Sequence, residues 1–229
     1  MTHTNKSRVY FADVSCLEDA ELFRRLYRQT DAARRERIDR MHFEKDKYLS
    51  LGAGVLLRKA LNDLGFDAVP DLAYGAHGKP YFPDLPELHF NLSHSGTKVL
   101  CAVSDRSIGC DAEKIGSYNE KLVRRFFHPE ECTLLLSAPD ASAQTELFYR
   151  LWTLKESFLK ATGLGLSLPL DSFAVCLREN RISVLQTVCK DPCGFYLLDF
   201  DPGYEYACCI MQDSGENPPE TVNAVLSSL

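Results

Sequence analysis

The sequence lacks an apolar run as long as a membrane-spanning helix, and it lacks a surplus of basic residues. A spanning helix needs about 20 consecutive apolar residues, so we expect no transmembrane segment. The 26 lysines and arginines are fewer than the 32 acids, which gives a net charge of −6. Nucleic-acid-binding proteins usually carry a basic surplus, so general nucleic-acid binding is not expected. The first residues also lack the apolar core of a signal peptide, and we expect a cytoplasmic protein.

The usual signatures of zinc sites and disulfide frameworks are missing as well. The nine cysteines are odd in number and irregularly spaced, in a chain with no export signal, which favours reduced thiols. Cys189 and Cys193 lie four residues apart and Cys208 and Cys209 are adjacent, and neither spacing is typical of a zinc site. We therefore interpret the cysteines as structural thiols in the core.

The stretch 150–166 organises the rest of the sequence. In and just before it, apolar residues recur with the period of a helix. They form two stripes, the first of Leu147, Leu151, Leu154 and Phe158, the second of Phe148, Trp152 and Leu159. A helix that is apolar on two sides packs on two sides. The pattern therefore predicts a helix through the middle of the protein, ended by a glycine-rich segment.

Three carboxylates are candidates for binding a cation. Glu156 lies in the predicted helix one turn from Trp152, where it either pairs with Lys160 as an ordinary helical ion pair or needs another cation because water is limited. Asp111 and Glu113 are two residues apart on a predicted strand, so their side chains share one face. Such a pair is either solvated or binds a cation between its members. Oxygen ligands favour Mg²⁺, or Mn²⁺, over zinc.

Basic residues in two regions are candidates for binding phosphate. Arg34 and Arg37 lie in the charged helical segment 30–61, and they form either a solvated helix face or a phosphate contact, since arginine matches phosphate geometry. Lys79 stands between a glycine and a proline, which would fix its ammonium in place. The alternative interpretation of Lys79 is an ordinary surface lysine in a turn.

The run NLSHSG at 91–96 follows a predicted strand. Its hydroxyls, imidazole and backbone amides suit an oxyanion such as a pyrophosphate. Ser93 and His94 are adjacent on an extended chain and point to opposite faces, so they do not form a nucleophile–base pair.

These runs, taken together, resemble a known family. NLSHSG at 91–96, GCDAEK at 109–114, FFHPEE at 126–131 and the segment 150–173 with its WTLKES are similar to the 4′-phosphopantetheinyl transferases of the surfactin-synthetase-activating type. The likeness extends over about residues 30–210. It implies an enzyme that moves the phosphopantetheine arm of coenzyme A to a serine of an acyl or peptidyl carrier protein and releases 3′,5′-ADP.

The resemblance also implies an architecture. Each half of the chain reads as a helix followed by short strands, with a break near residues 113–121. The family fold is an α+β monomer of two similar α/β halves related by a pseudo-twofold axis. We expect these halves to be 1–113, with elements that bind the coenzyme A phosphates, and 114–229, with the central helix. Coenzyme A and Mg²⁺ would lie between them.

The resemblance assigns roles to individual residues. Metal binding falls to the three carboxylates Asp111, Glu113 and Glu156. Contacts to coenzyme A, chiefly to its phosphates, fall to Lys79, Ser93, His94, Lys155 and Lys160, with Arg34 and Arg37 at the 3′-phosphate. Glu131 would lie near the metal. Lys155 and His94 would offset charge that builds on phosphate, and the serine proton would pass to Glu156 or to a metal-bound water.

A basic cluster beside two aromatic residues is the candidate docking site for the carrier protein. The cluster consists of Lys121, Arg124 and Arg125, followed by Phe126 and Phe127. Carrier proteins are generally acidic around the modified serine, so charge would steer the carrier and an aromatic side chain would anchor it. The alternative is a solvated helix end.

Two other functions could use the same residues. A Mg²⁺-dependent pyrophosphatase or nucleotide hydrolase would release phosphate without a carrier protein. A coenzyme A-binding or carrier-binding module without catalysis would require a broken set of acids, whereas Asp111, Glu113 and Glu156 are all present.

Overall fold

The computed structural model describes residues 7–118, 120–178, 181–215 and 217–229. Its α-helices are α1 (Ala20–Arg28), α2 (Ala32–Asp39), α3 (Glu44–Asp63), α4 (Glu120–Phe126), α5 (Pro129–Leu136) and α6 (Ala141–Thr162). Its strands are β1 (Arg8–Asp13), β2 (Ala73–Tyr74), β3 (Pro80–Tyr81), β4 (His89–Ser95), β5 (Lys98–Ser104), β6 (Ile108–Lys114), β7 (Ala174–Arg178), β8 (Arg181–Leu185), β9 (Cys193–Leu198), β10 (Tyr204–Met211) and β11 (Glu220–Asn223). The mixed content confirms the predicted α+β class. Within the described ranges, no helix has both the length and the apolarity needed to cross a membrane.

Two sheets form the framework. The first has the order β11-β1-β5-β4 and the second the order β6-β10-β9. Neighbouring strands are antiparallel except β1 and β11, which run parallel. The turn at Asp105–Arg106 leads from β5 in the first sheet to β6 in the second. The division into halves at residues 113 and 114 stays a prediction, and β6 pairs with β10 from beyond that boundary.

The charged segment 30–61 forms two helices rather than one. The Asp31 side chain caps α2 by accepting a hydrogen bond from the Arg34 amide at 2.7 Å, as expected for an aspartate at this position. Helix α2 ends at Asp39, and Phe43 takes an extended conformation immediately before α3 begins. Helix α3 packs on the first sheet through a core that includes Leu51, Val55 and Leu56.

Helix α6 confirms the predicted central helix with two apolar sides. It packs directly on β6 and β10, with Leu151, Leu154 and Phe158 fully buried. Gly109 on β6 makes this approach possible, because a Cβ there would lie only 2.1 Å from the Ser157 carbonyl oxygen. The absence of a side chain at Gly109 therefore lets the helix backbone rest on the strand.

Lys155 of α6 and Glu131 of α5 form an ion pair inside the core. Both are almost completely buried, and the ammonium donates to both Glu131 oxygens at 2.9 and 2.7 Å and to the Phe173 carbonyl at 2.7 Å. Glu131 also accepts from the backbone amides of His128 and Val175 at 2.9 and 2.7 Å. The pair thereby ties α5, α6 and the start of β7 together.

This arrangement corrects two predictions. Lys155 is not available to coenzyme A in this structure, because its three donors are used inside the core. Glu131 is not free to bind a metal ion in this structure, because both its oxygens hold Lys155 and backbone amides. The physical reason is the helical turn of about 100° per residue, which directs Lys155 to the opposite side of α6 from Lys160.

We predict that Lys155→Met destabilises the protein strongly. The substitution leaves the Glu131 carboxylate buried without its cation, and breaking a buried pair in this way typically costs about 3–5 kcal/mol. Urea unfolding measures the change in the free energy of unfolding. The control is Lys59→Met, which removes a pair with Asp63 at 3.0 Å on the helix surface and should cost less than about 1 kcal/mol. Equal losses for the two variants would contradict the prediction.

Candidate active site

Strands β4 and β6 meet along a seam where side chains make the connections. The Asn91 side-chain oxygen accepts from the Cys110 amide at 2.9 Å, and the Cys110 thiol donates to the Asn91 carbonyl at 3.5 Å. Ser95 Oγ accepts from the Lys114 amide at 3.0 Å. These residues belong to different sheets, so the seam joins the two sheets through alternate side chains of β4.

The middle of the seam holds a charged cluster. Ser93 Oγ donates to Asp111 Oδ1 at 2.8 Å, and Lys160 Nζ lies 2.6 Å from the same oxygen and 2.9 Å from Ser93 Oγ. Lys160 also donates to the Cys110 carbonyl at 3.2 Å. Although burial lowers it, the pKa of Lys160 is raised overall by the neighbouring Asp111. The lysine is therefore a fixed cation, and it pairs with Asp111 rather than with Glu156 of its own helix.

The three candidate carboxylates lie around this cluster. Asp111 is 4% exposed, and its Oδ2 is buried without a hydrogen-bond partner. Burial and the charge of Asp111 raise the pKa of Glu113 to about 7, although Ser95 Oγ donates to it at 3.2 Å. Burial and Asp111 also raise the pKa of Glu156. The negative charge of Asp111 thus disfavours ionisation of both Glu113 and Glu156.

The chemistry of these three carboxylates fits a divalent cation, although their side chains are not arranged for coordination in this structure. In the part of the chain that the structure describes, no three His, Cys, Asp or Glu side chains are arranged to hold an ion as they stand. Oxygen donors are nevertheless what Mg²⁺ and Mn²⁺ prefer. An unpartnered buried oxygen on Asp111, flanked by two acids of raised pKa, would be satisfied by such a cation. The metal assignment stays a prediction.

A basic pocket lies beside the seam. It has a volume of about 360 Å³, and its lining includes Arg34, Arg37, Ser50 and His94. Arg34 lies along α3 where Gly54 leaves room, since a Cβ on that glycine would be 3.1 Å from Arg34 Nε. Burial lowers the pKa of His94, and the charge of Lys160 lowers it further. The imidazole is therefore neutral near pH 7, next to two guanidinium groups.

Lys79 has a different environment from the one predicted. Its ammonium donates to Ser107 Oγ at 3.0 Å and to the carbonyls of Ile108 and Ala161 at 3.1 Å each. Burial lowers its pKa to about 8. The lysine thus ties the β3 loop to β6 and to the end of α6. Contact with coenzyme A stays a prediction, and it requires the ammonium to leave one of these acceptors.

The predicted docking cluster lies on α4 and is only partly accessible. Phe127 is 3% exposed and packs with Phe148 and Trp152, so the prediction that it helps to anchor a carrier is wrong. Its side chain faces α6 because it follows α4 into the core. Arg125 covers the half-buried Phe126 ring at 5.1 Å, and Arg124 pairs with Glu120 at 2.7 Å.

The sequence interpretation missed the seam itself. Asn91 and Ser95 were counted only as part of an oxyanion-binding turn, whereas both hold β6 in place. The signal was present in the alternation of Asn91, Ser93 and Ser95, because period-two spacing puts these polar groups on one face of a strand.

Comparisons with known proteins show the family to which the chain belongs. Residues 107–210 match the model of the 4′-phosphopantetheinyl transferase superfamily. The chain is 40% identical to the 4′-phosphopantetheinyl transferase Sfp of Bacillus subtilis over 77% of this chain and 80% of that protein. It is 34% identical to the 4′-phosphopantetheinyl transferase gsp of Aneurinibacillus migulanus over 76% of this chain and 73% of that one. It is also 38% identical to the 4′-phosphopantetheinyl transferase HetI of a Nostoc species over 66% of each chain.

The matched region includes β6, α4, α5, α6 and β10, and so contains Asp111, Glu113, Glu156 and Lys160. The charged cluster at the seam and the extent of these similarities lead to one conclusion. The chain belongs to the 4′-phosphopantetheinyl transferase family, whose members transfer the phosphopantetheine arm of coenzyme A to a serine of a carrier protein.

Proposed function

We propose that the seam between β4 and β6 is the reaction centre of this transferase. The observation that carries the proposal is the Lys160–Asp111–Ser93 cluster with its unpartnered Asp111 oxygen. Lys160 would bind the pyrophosphate of coenzyme A, with His94 as a neutral hydrogen-bond donor. Arg34 and Arg37 would hold the 3′-phosphate in the adjoining pocket, where charge-assisted hydrogen bonds to phosphate are strong.

Asp111, Glu113 and Glu156 would hold a Mg²⁺ ion, with Mn²⁺ as the alternative. When bound, the ion supplies positive charge to the phosphate oxygens on which negative charge develops. The acids themselves position that charge. Their mutual repulsion, visible in the raised pKa values of Glu113 and Glu156, is relieved by a cation among them.

Glu156 is the proposed general base. The carrier serine oxygen forms a bond to the phosphorus that bears the pantetheine arm, and the bond from that phosphorus to the bridging oxygen breaks, so that 3′,5′-ADP leaves. The serine proton passes to Glu156. An acid at the reaction centre is a group that can take this proton, and Glu156 is the acid that α6 contributes to the cluster.

The carrier protein would dock on α4, through Lys121, Arg124 and Arg125. Leu122 on the same helix is 39% exposed and provides an apolar contact in place of the buried Phe127. One chain carries the acids of β6 and the basic pocket, so we propose a monomer as the active form.

The reaction is tested by mass spectrometry of an apo acyl carrier protein and an apo peptidyl carrier protein incubated with the enzyme, coenzyme A and Mg²⁺. Gain of one phosphopantetheine on either carrier, abolished by EDTA, is the expected result. Phosphate release without a carrier, and no gain of mass, would instead favour a hydrolase.

We predict that Asp111→Ala lowers the rate of transfer by roughly 10²-fold or more, because it removes both a proposed metal ligand and the partner of Lys160. Formation of holo-carrier, followed by intact mass, measures the rate. The control is Asp213→Asn, a buried acid paired with Arg106 at 3.2 Å outside the seam, which should leave the rate nearly unchanged. Near-normal transfer by Asp111→Ala would refute the metal assignment.

A second prediction concerns the basic pocket. Arg37→Ala should raise the KM for coenzyme A roughly tenfold, since a hydrogen bond to a charged group contributes about 1.5–3 kcal/mol. It should not change the KM for 3′-dephospho-coenzyme A, which has no 3′-phosphate. Arg40→Ala is the control, because Arg40 lies outside the pocket and pairs with Glu36. An equal rise for both substrates would place the 3′-phosphate elsewhere.

A third prediction concerns docking. The double charge reversal Arg124→Glu and Arg125→Glu should raise the KM for the carrier roughly tenfold by removing electrostatic steering, and it should leave the KM for coenzyme A unchanged. The matched control reverses Arg24 and Arg28 on α1, which changes the net charge equally. If the control raised the carrier KM as much, net charge rather than α4 would be responsible.

A further inference from the structure

Two thiols stand close together in the connection between β8 and β9, outside the proposed reaction centre. Cys189 and Cys193 are both half-buried, and their sulfur atoms are 3.8 Å apart. A disulfide bond is about 2.05 Å long. The two sulfur atoms therefore have to approach by less than about 2 Å for a bond to form.

The backbone holds both thiols in this arrangement. The Gln186 side chain clamps Cys189, since its amide nitrogen donates to the Cys189 carbonyl at 2.8 Å and its oxygen accepts from the Cys189 amide at 2.9 Å. Cys193 begins β9 and pairs with Met211 of β10. The Asp191 carbonyl accepts from both thiols, at 3.7 and 3.8 Å. One thiol is thus fixed by the sheet and the other by a turn that folds back on it.

The two thiols differ in chemical character. Hydrogen bonding from Cys209, and also from Cys189, lowers the pKa of Cys193 to about 7. Burial and the neighbouring Cys193 raise the pKa of Cys189 to about 11. A thiolate is the nucleophile in disulfide exchange, so Cys193 is the residue suited to attack first and Cys189 the residue suited to resolve the product.

We propose that Cys189 and Cys193 form a dithiol site that reacts with low-molecular-weight disulfides, for which glutathione disulfide is the probe. The Cys193 thiolate attacks one sulfur of the oxidant, forms a mixed disulfide and releases one glutathione thiolate. Cys189 then attacks Cys193 Sγ and its proton passes to the second departing glutathione. The two protein thiols lose two electrons, and the oxidant is reduced to two molecules of glutathione.

The site is separate from the transferase chemistry. Cys193 lies opposite Met211, whereas Asp111 lies opposite Ala207 on the same strand. Four residues of strand span about 13 Å. Neither thiol contacts the seam or the basic pocket. The reactivity of the two thiols is therefore independent of the proposed transferase reaction.

The test uses the full-length reduced protein incubated with glutathione disulfide at neutral pH. Remaining thiols are then alkylated, and intact mass and peptide mapping locate the product. We expect a loss of two hydrogen atoms, reversed by dithiothreitol, and a linked peptide that joins Cys189 to Cys193. No loss of mass would overturn the proposal, and so would a stable glutathione adduct on the wild-type protein or a link from Cys193 to Cys209.

Single variants check the order of the two steps. Cys189→Ser should stop at a stable glutathione adduct on Cys193, because nothing resolves it, and Cys193→Ser should give neither adduct nor link. Cys176→Ser is the control, since this half-buried cysteine lies on β7 and should leave the disulfide unaffected. An adduct on Cys189 in Cys193→Ser would overturn the assigned order. The wild-type mapping decides the proposal even if a variant folds poorly.

Discussion

The contact between β4 and β6 is the constraint on which the rest of the site depends. Two strands from different sheets lie side by side, and polar side chains of β4 replace the backbone ladder that would normally join them. Since side chains alternate along a strand, Asn91, Ser93 and Ser95 share the face that holds β6. Leu92 and His94 line the basic pocket, together with Asn91. One strand thereby contributes to both the charged cluster and the pocket.

One face of helix α6 contacts the seam, and another face packs in the core. Gly109 lets the helix backbone lie against β6, and that short distance brings the Lys160 ammonium within 2.6 Å of Asp111. Glu156 faces the same side, whereas Lys155 is directed inward to Glu131. The buried pair fixes the rotation of the helix about its axis. A core ion pair, which contributes little net stability when compared with an apolar pair, can in this way determine which residues reach the proposed reaction centre.

The sequence predicted the elements of this site better than their orientation. The two apolar stripes predicted α6, and period-two spacing correctly placed Asp111 and Glu113 on β6. The sequence does not show which of Lys155 and Lys160 faces the core, because both are lysines of one helix. Only the packing of α5 against α6 distinguishes their environments. Phe127 was mistaken for a surface aromatic for the same reason. The pairing of β11 with β1 joins the two ends of the chain, and no local pattern in a short polar strand predicts a partner so distant in sequence.

The charges at the seam are not balanced, and burying them together is unfavourable for folding. Three carboxylates face one ammonium, and burial together with the charge of Asp111 raises the pKa of Glu113 to about 7. Lys160 satisfies Asp111 Oδ1 but leaves Oδ2 buried without a partner, and an unsatisfied buried charge is unfavourable. In the proposed reaction centre, this arrangement would serve to bind a pyrophosphate. Polar groups already fixed around the reacting phosphate would need no reorganisation when negative charge develops. The free energy needed to arrange them would already have been supplied during folding, when the two sheets are joined.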